Sequence, residues 1–150
     1  MTGKTLSDIA EWMRDIDFCM LATHSRDGAI AARPMSNNRE VTFGGDCWFF
    51  TWDESLMVDD IRDDPKVTMT FQGSAGLLGT RPTFFAVEGV ADIVRDRTAF
   101  AEHWTDGLDR WFEQGIDTPG LAMIHVHATR IHYWDGEDEA EVPLGPRLSA

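Results

Sequence analysis

Leu6, Ile9, Met13 and Ile16 recur at helical spacing, with Trp12 flanking them, just after Thr5 and Ser7, either of which can cap a helix. Such a helix is suited to covering one end of a sheet. From Phe18 the pattern shortens to strand period. Phe18 to Thr23 and Ala29 to Ser36 read as two strands joined by Asp27-Gly28, the strongest short-range hairpin signal in the chain. A brief strand is expected at Glu40 to Phe43, a sharp turn at Gly44-Gly45-Asp46, and an aromatic strand at Trp48 to Thr51. Ser55 then caps a short helix carrying Val58 and Ile61. Asp63-Asp64-Pro65 ends it, because proline disfavours helix in the residue before it.

Val67 to Phe71 alternates as a strand, Gly73 to Thr80 is a glycine-rich loop, and Phe84 to Val94 is a long strand. Gly89 within that strand marks a bulge or a close backbone approach. Asp96 caps a helix reaching Trp104, Leu108 to Gln114 predicts a second short helix stopped by Gly115, and Leu121 to Trp134 is the final strand. The pattern therefore predicts about six or seven antiparallel strands with helices inserted late: a mainly β domain with flanking helices, closed as a small barrel. Residues 1–150 read as one domain, with 136–150 as a loosely ordered tail.

Composition narrows the function classes. A hydrophobic share of 43 % and a charged share of 26 % are ordinary for a globular chain. The net charge of −13 argues against nucleic acid and against anionic membrane surfaces, both of which need clustered Lys and Arg. Any anionic ligand must be held by a local cation against the overall field. No apolar run approaches a membrane span, and no apolar leader core opens the chain. Cys19 and Cys47 lack metal-ligand spacing and read as buried free thiols, which fits a cytoplasmic protein.

The candidate chemistry sits where Arg33-Pro34-Met35-Ser36 on one strand is followed by Trp48-Phe49-Phe50-Thr51 on the next and then by Ser55 opening a helix. The same order continues through Ile61-Arg62-Asp63-Asp64-Pro65-Lys66-Val67, Trp111-Phe112-Glu113-Gln114-Gly115 and Ile131-His132-Tyr133-Trp134-Asp135. With these motifs in this order from Leu6 to Asp135, the chain resembles the FMN-binding split-barrel superfamily of pyridoxamine-phosphate-oxidase-like proteins, and within it the general stress protein branch. That resemblance implies a dimeric split β-barrel binding FMN between two subunits. Flavin-dependent reduction of a small molecule would be its activity.

The physical demands of such a ligand can be stated independently. An isoalloxazine ring is flat and apolar on its faces and polar along its edge, so it suits an apolar slot rimmed by backbone donors and acceptors. Its phosphate wants a cation and a helix N-terminus. By resemblance, Pro34, Met35 and Ser36 border the ring edge, Phe50 and Thr51 the ring and ribityl chain, and Arg33 and Ser55 the phosphate. Trp111 or Trp134, from a second subunit, closes over the ring.

The chain also departs from its relatives. They commonly carry basic residues where this chain has Leu56 and Met57, and often another where it has Asn38, beside Arg39. Weakened phosphate binding follows, and Met57→Lys is expected to strengthen it. The alternative from another class is a non-catalytic split-barrel stress protein that has lost or weakened flavin binding and acts through another ligand or through protein association.

His125 and His127, two apart on a strand, share a face and could chelate a metal, but no third ligand stands at convincing spacing; they read as a polar strand face, with no metal expected. Heme binding through histidine, found in some relatives of this barrel, rests here only on the positions of the histidines. The tryptophans at 48, 52, 104, 111 and 134 fit core or interface. There is no Ser-His-Asp pattern, phosphate loop or paired-carboxylate layout, so hydrolase, kinase and glycosidase chemistry drop out, and no catalytic acid or base is assigned.

Overall fold

A computed structural model describes residues 3–37, 42–73 and 82–144. Thr5 is the cap that forms: its hydroxyl accepts from the Asp8 N–H, and the Asp8 carboxylate accepts from the Thr5 N–H at 2.8 Å. This reciprocal box starts α1 (Leu6–Met13), which buries Ile9, Ala10 and Met13. Trp12 packs against Phe85 and Tyr133, so the helix closes one end of the sheet as its spacing foretold.

The strands are β1 (Phe18–His24), β2 (Ile30–Ser36), β3 (Asp46–Trp52), β4 (Lys66–Gln72), β5 (Thr83–Val94), β6 (Leu121–Asp135) and β7 (Asp138–Val142). All pair antiparallel, in the order β2-β1-β4-β5-β6-β3, with β7 beside β6. The strands curl around one core containing Leu21, Met69, Val87, Val126 and Ile131, each fully buried. Since β2 and β3 end the strand order without pairing to each other, the barrel is split between them. The fold is mainly β with flanking helices, as the pattern predicts, and the split form of the barrel is the one the resemblance implies.

The Asp27-Gly28 hairpin forms as read. Gly28 takes φ 85°, the Ser25 N–H donates to the Ala29 carbonyl, and the Asp27 carboxylate accepts from the Ser25 hydroxyl. Gly89 meets both expectations placed on it. The β5–β6 register slips at Glu88/Gly89, and a Cβ at position 89 would lie 2.5 Å from the His127 carbonyl oxygen. α2 (Leu56–Asp63) begins at Ser55, whose hydroxyl accepts from the Val58 N–H, and stops before Pro65. α3 (Arg97–His103) is capped by Asp96.

Several expectations are corrected. Leu108 to Gln114 is not an α-helix; 3-10 turns at Asp106–Leu108 and Gly115–Asp117 flank a non-helical stretch. Leu108 and Phe112 are drawn into a second core beside Phe50, Phe100, Leu121 and Met123, and that packing outweighs helical propensity over so short a segment. Of the strand expected at Glu40 to Phe43, residues 40 and 41 lie outside the described residues. Thr42 and Phe43 are in no strand, although Phe43 is buried. The Gly73 to Thr80 loop likewise lies almost wholly outside them.

The supposedly loose tail contains a strand. Gly136, at φ 62°, opens a two-residue turn between Asp135 and Asp138, and Ala140 and Val142 then face the core. The dense acids of this stretch mask a period-two pattern. Residues 145–150 lie outside the described residues.

The second core explains why Cys47 to Thr51 is apolar without alternating. Cys47 and Phe49 point into the barrel, while Trp48 and Phe50 are covered from outside by α3 and the segment after it. Outside the barrel, Phe18, Met20 and Phe84 are 52 %, 41 % and 37 % exposed. Together with Trp134 they line an apolar groove of about 760 Å³. Among the described residues no helix is long and apolar enough to cross a membrane.

Candidate functional site

The split itself forms a cleft. A groove of about 770 Å³ runs between the β2 edge (residues 34–37), β3 (residues 48–52) and the stretch from Thr105 to Phe112. Neither edge strand has a strand partner on this side among the described residues, so backbone N–H and C=O groups remain available along the rim. Asn37 fixes the end of β2 by donating from its side-chain nitrogen to the Met13 and Ile16 carbonyls, at 2.8 Å each. The far wall is aromatic. Phe50 lies edge-on to Trp104 at 4.9 Å, and Trp52 packs on Phe112 at 5.1 Å. Trp111, 52 % exposed, stands at the rim with the Arg110 guanidinium carbon 5.1 Å from its ring centroid.

Six of the sequence-nominated residues therefore share one groove: Pro34, Met35, Ser36, Phe50, Thr51 and Trp111, the last lining the groove of its own chain where the resemblance brings it from a second subunit. Four do not line it. Trp134 lies in the second groove, stacked on His132. The Ser55 hydroxyl caps α2. Arg33 turns toward α2, where its Nη1 donates to the Thr23 hydroxyl at 3.0 Å and its Nη2 lies 3.9 Å from the Asp60 carboxylate. Thr23 in turn donates to Asp60, and both are buried. The guanidinium, with a quarter of its side chain exposed, thus already faces a carboxylate of its own chain, which competes with any external anion.

Met57 corrects the reading of the phosphate corner. It is 5 % exposed and packed in the barrel core, while its neighbour Leu56 is 79 % exposed. Position 57 lies on the buried face of an amphipathic helix, with Ile61 one turn on, so its side chain is not presented to solvent or to the groove.

Sequence reasoning missed Asn37, Trp48, Trp52 and Arg110 as groove residues. Trp48 and Trp52 flank Phe50 at strand period and could have been found that way; Arg110 sits in an irregular segment and gave no local signal. It also missed the third group beside the histidines. Asp46, directly opposite His127 across the β3–β6 ladder, accepts from or bonds both His125 Nε2 and His127 Nδ1 at 2.8 Å. Burial alone would raise the Asp46 pKa, but the bonds from His127 and His125 hold it below the ordinary carboxylate value. Among the described residues no three His, Cys, Asp or Glu side chains are set to hold a metal ion.

Trp48 is stacked between His125 and His103, with centroids 5.4 and 3.9 Å away. Burial lowers the His103 pKa, with Glu102 opposing and His125 adding to that shift. Burial pushes the Cys19 thiol up to about 12 and Cys47 higher still, so both stay protonated and neither is a nucleophile.

The sequence profile described as "Pyridoxamine 5'-phosphate oxidase like" matches residues 4–144, nearly the whole chain and every element that builds the groove. The chain belongs to the pyridoxamine 5'-phosphate oxidase-like family. Protein bli-3 of Neurospora crassa is 28 % identical over 139 residues, covering 87 % of this chain; the chain spans 64 % of that relative's length. The family fold recurs in a Clostridium acetobutylicum protein related to general stress protein 26 of B. subtilis. That structure has a TM-score of 0.76 at 20 % identity, over 91 % of this chain and 92 % of that one. It recurs also in the general stress FMN/FAD binding protein of Xanthomonas citri, with a TM-score of 0.66 at 23 % identity, over 93 % and 95 % of the two chains.

Proposed function

We propose that this family member binds FMN in the β2/β3 groove and uses it as a flavin-dependent oxidoreductase on a small molecule. One observation carries the reading: the barrel opens between two unpaired strand edges, and the opening is apolar on its walls and polar at its backbone rim. A flat ring with a polar edge requires that combination. Family membership and the FMN/FAD-binding fold neighbour support it.

In this reading the flavin, when bound, supplies the redox chemistry. The chain's residues do the holding. The backbone of residues 34–36 meets the ring edge, Thr51 and the aromatic wall around Phe50 exclude water, and Trp111 covers the mouth. No side chain in the groove is assigned a proton-transfer role.

The reading includes a homodimer with the ligand site between subunits. Its support is the exposed apolar groove around Phe18, Met20, Phe84 and Trp134, which meets the flavin groove at Asp17 and Phe18. A second copy seated there would also reach the ligand's mouth. Two buried free thiols suit a cytoplasmic site of action.

The non-catalytic alternative keeps one specific argument: Arg33 faces Asp60 and Met57 lies in the core, which leaves the expected phosphate corner without an unpaired cation among the described residues. The absorbance spectrum of the purified protein, before and after incubation with FMN, separates the two. Flavin bands that co-elute with the protein support the first; a colourless protein that takes up no FMN refutes it.

A further inference from the structure

In a chain of net charge −13, a phosphorylated ligand can stay in the groove only if a nearby cation is free to meet it. Most guanidiniums among the described residues are already paired. Arg26 pairs with Asp63, Arg33 with Asp60, Arg62 and Arg95 with Asp53, Arg97 with Asp117, and Arg130 with Glu141. Arg110 differs: among the described residues it has no carboxylate partner. It is also the single cationic residue among the described residues lining the groove, whose one acid is Asp17. Its guanidinium carbon lies 5.1 Å from the centroid of the Trp111 ring, which also lines the groove, and a planar guanidinium fork matches two phosphate oxygens at once.

We propose that Arg110 selects a phosphorylated ligand for this groove, taking the terminal phosphate that Arg33 cannot reach for while it balances Asp60. This rests on the flavin reading above, with FMN as the ligand and riboflavin as the same ring without the phosphate. The recognition element then sits on the irregular segment between the two 3-10 turns, beside the tryptophan at the mouth, rather than on β2 and the start of α2. It is a specificity determinant: it distinguishes the tail and leaves the ring contacts unchanged.

The test is a fluorescence titration of FMN and of riboflavin into the wild type, Arg110→Gln and Arg110→Lys. A hydrogen bond to a charged group corresponds to about tenfold to about 150-fold in dissociation constant. Arg110→Gln is expected to lose FMN affinity by at least about tenfold, with riboflavin affinity unchanged, and Arg110→Lys to recover part of the loss. Arg110 is exposed, so the variants are expected to fold, and thermal melting checks that they do. If both flavins bind the wild type and Arg110→Gln keeps its preference for FMN, this inference is overturned and the flavin reading stands. Equal loss for FMN and riboflavin also overturns it, because Arg110 would then serve the ring. If neither flavin binds the wild type, both readings fall.

Discussion

Replacing Met57 by lysine sets the local sequence pattern against the tertiary structure. By pattern alone the new ammonium stands where relatives carry a basic residue, and FMN binding should tighten. In the structure the side chain is 5 % exposed and lies among barrel-core residues, so the substitution places a charge inside the core. Neutralising a lysine of ordinary pKa at pH 7 costs about 4.6 kcal/mol, at about 1.36 kcal/mol per pH unit. Methionine burial contributes about 1.5–3 kcal/mol, part of which the lysine stem retains.

Asp60, one turn further along α2, can pair with the ammonium, but only by competing with Arg33 and Thr23. Such a bond to a charged group returns about 1.5–3 kcal/mol, so a net loss of about 3 kcal/mol is expected, a large share of a typical domain stability of about 5–15 kcal/mol. At about 2–4 °C per kcal/mol for a chain of this size, Tm should fall by about 6–12 °C. Thermal melting followed by tryptophan fluorescence measures this, with Met57→Leu as the volume-conserving control expected to cost less than about 1.5 kcal/mol. FMN titration of the folded variant completes the test. A Met57→Lys protein melting within about 2 °C of wild type and binding FMN more tightly would show that position 57 faces the ligand, and the core assignment would be wrong.

Gly89→Ala is expected to destabilise by about 1–3 kcal/mol, because its Cβ would lie 2.5 Å from a backbone oxygen that cannot move aside; an unchanged Tm would refute the close approach. His103 has its pKa lowered by burial, so the fold prefers the neutral ring. That contribution is complete above the ordinary histidine value of 6.5 and is lost as pH falls below it. His103→Phe, which keeps an aromatic ring on Trp48, should flatten the fall in Tm between about pH 7.5 and about pH 5.5, and an identical pH profile in the two proteins would count against this. Light scattering after size exclusion should find a dimer that Phe18→Glu converts to monomer, since obligate interfaces commonly bury more than about 2,000 Å²; a monomeric wild type at micromolar concentration would remove the two-subunit site.

Local patterning determined most of the frame. Capping residues, the Asp27-Gly28 turn, Pro65 and the strand period are short-range signals, and α1, the β1–β2 hairpin, α2 and the long strands β5 and β6 form where those signals lie. The residues of the groove were legible where they are consecutive on a strand, as in 34–36 and 50–51. Tertiary structure decided what those signals cannot encode. Whether Arg33 is free depends on Asp60, twenty-seven positions away on α2, and whether Met57 meets solvent depends on how that helix is rolled against the barrel. Asp46 joins His125 and His127 only because β3 pairs with β6 in one register. Arg110 reaches the groove because Leu108 and Phe112 anchor their segment in the second core. Sequence separation hides such contacts: a pair bond or a buried face is a property of two segments together, and neither segment's own periodicity records it.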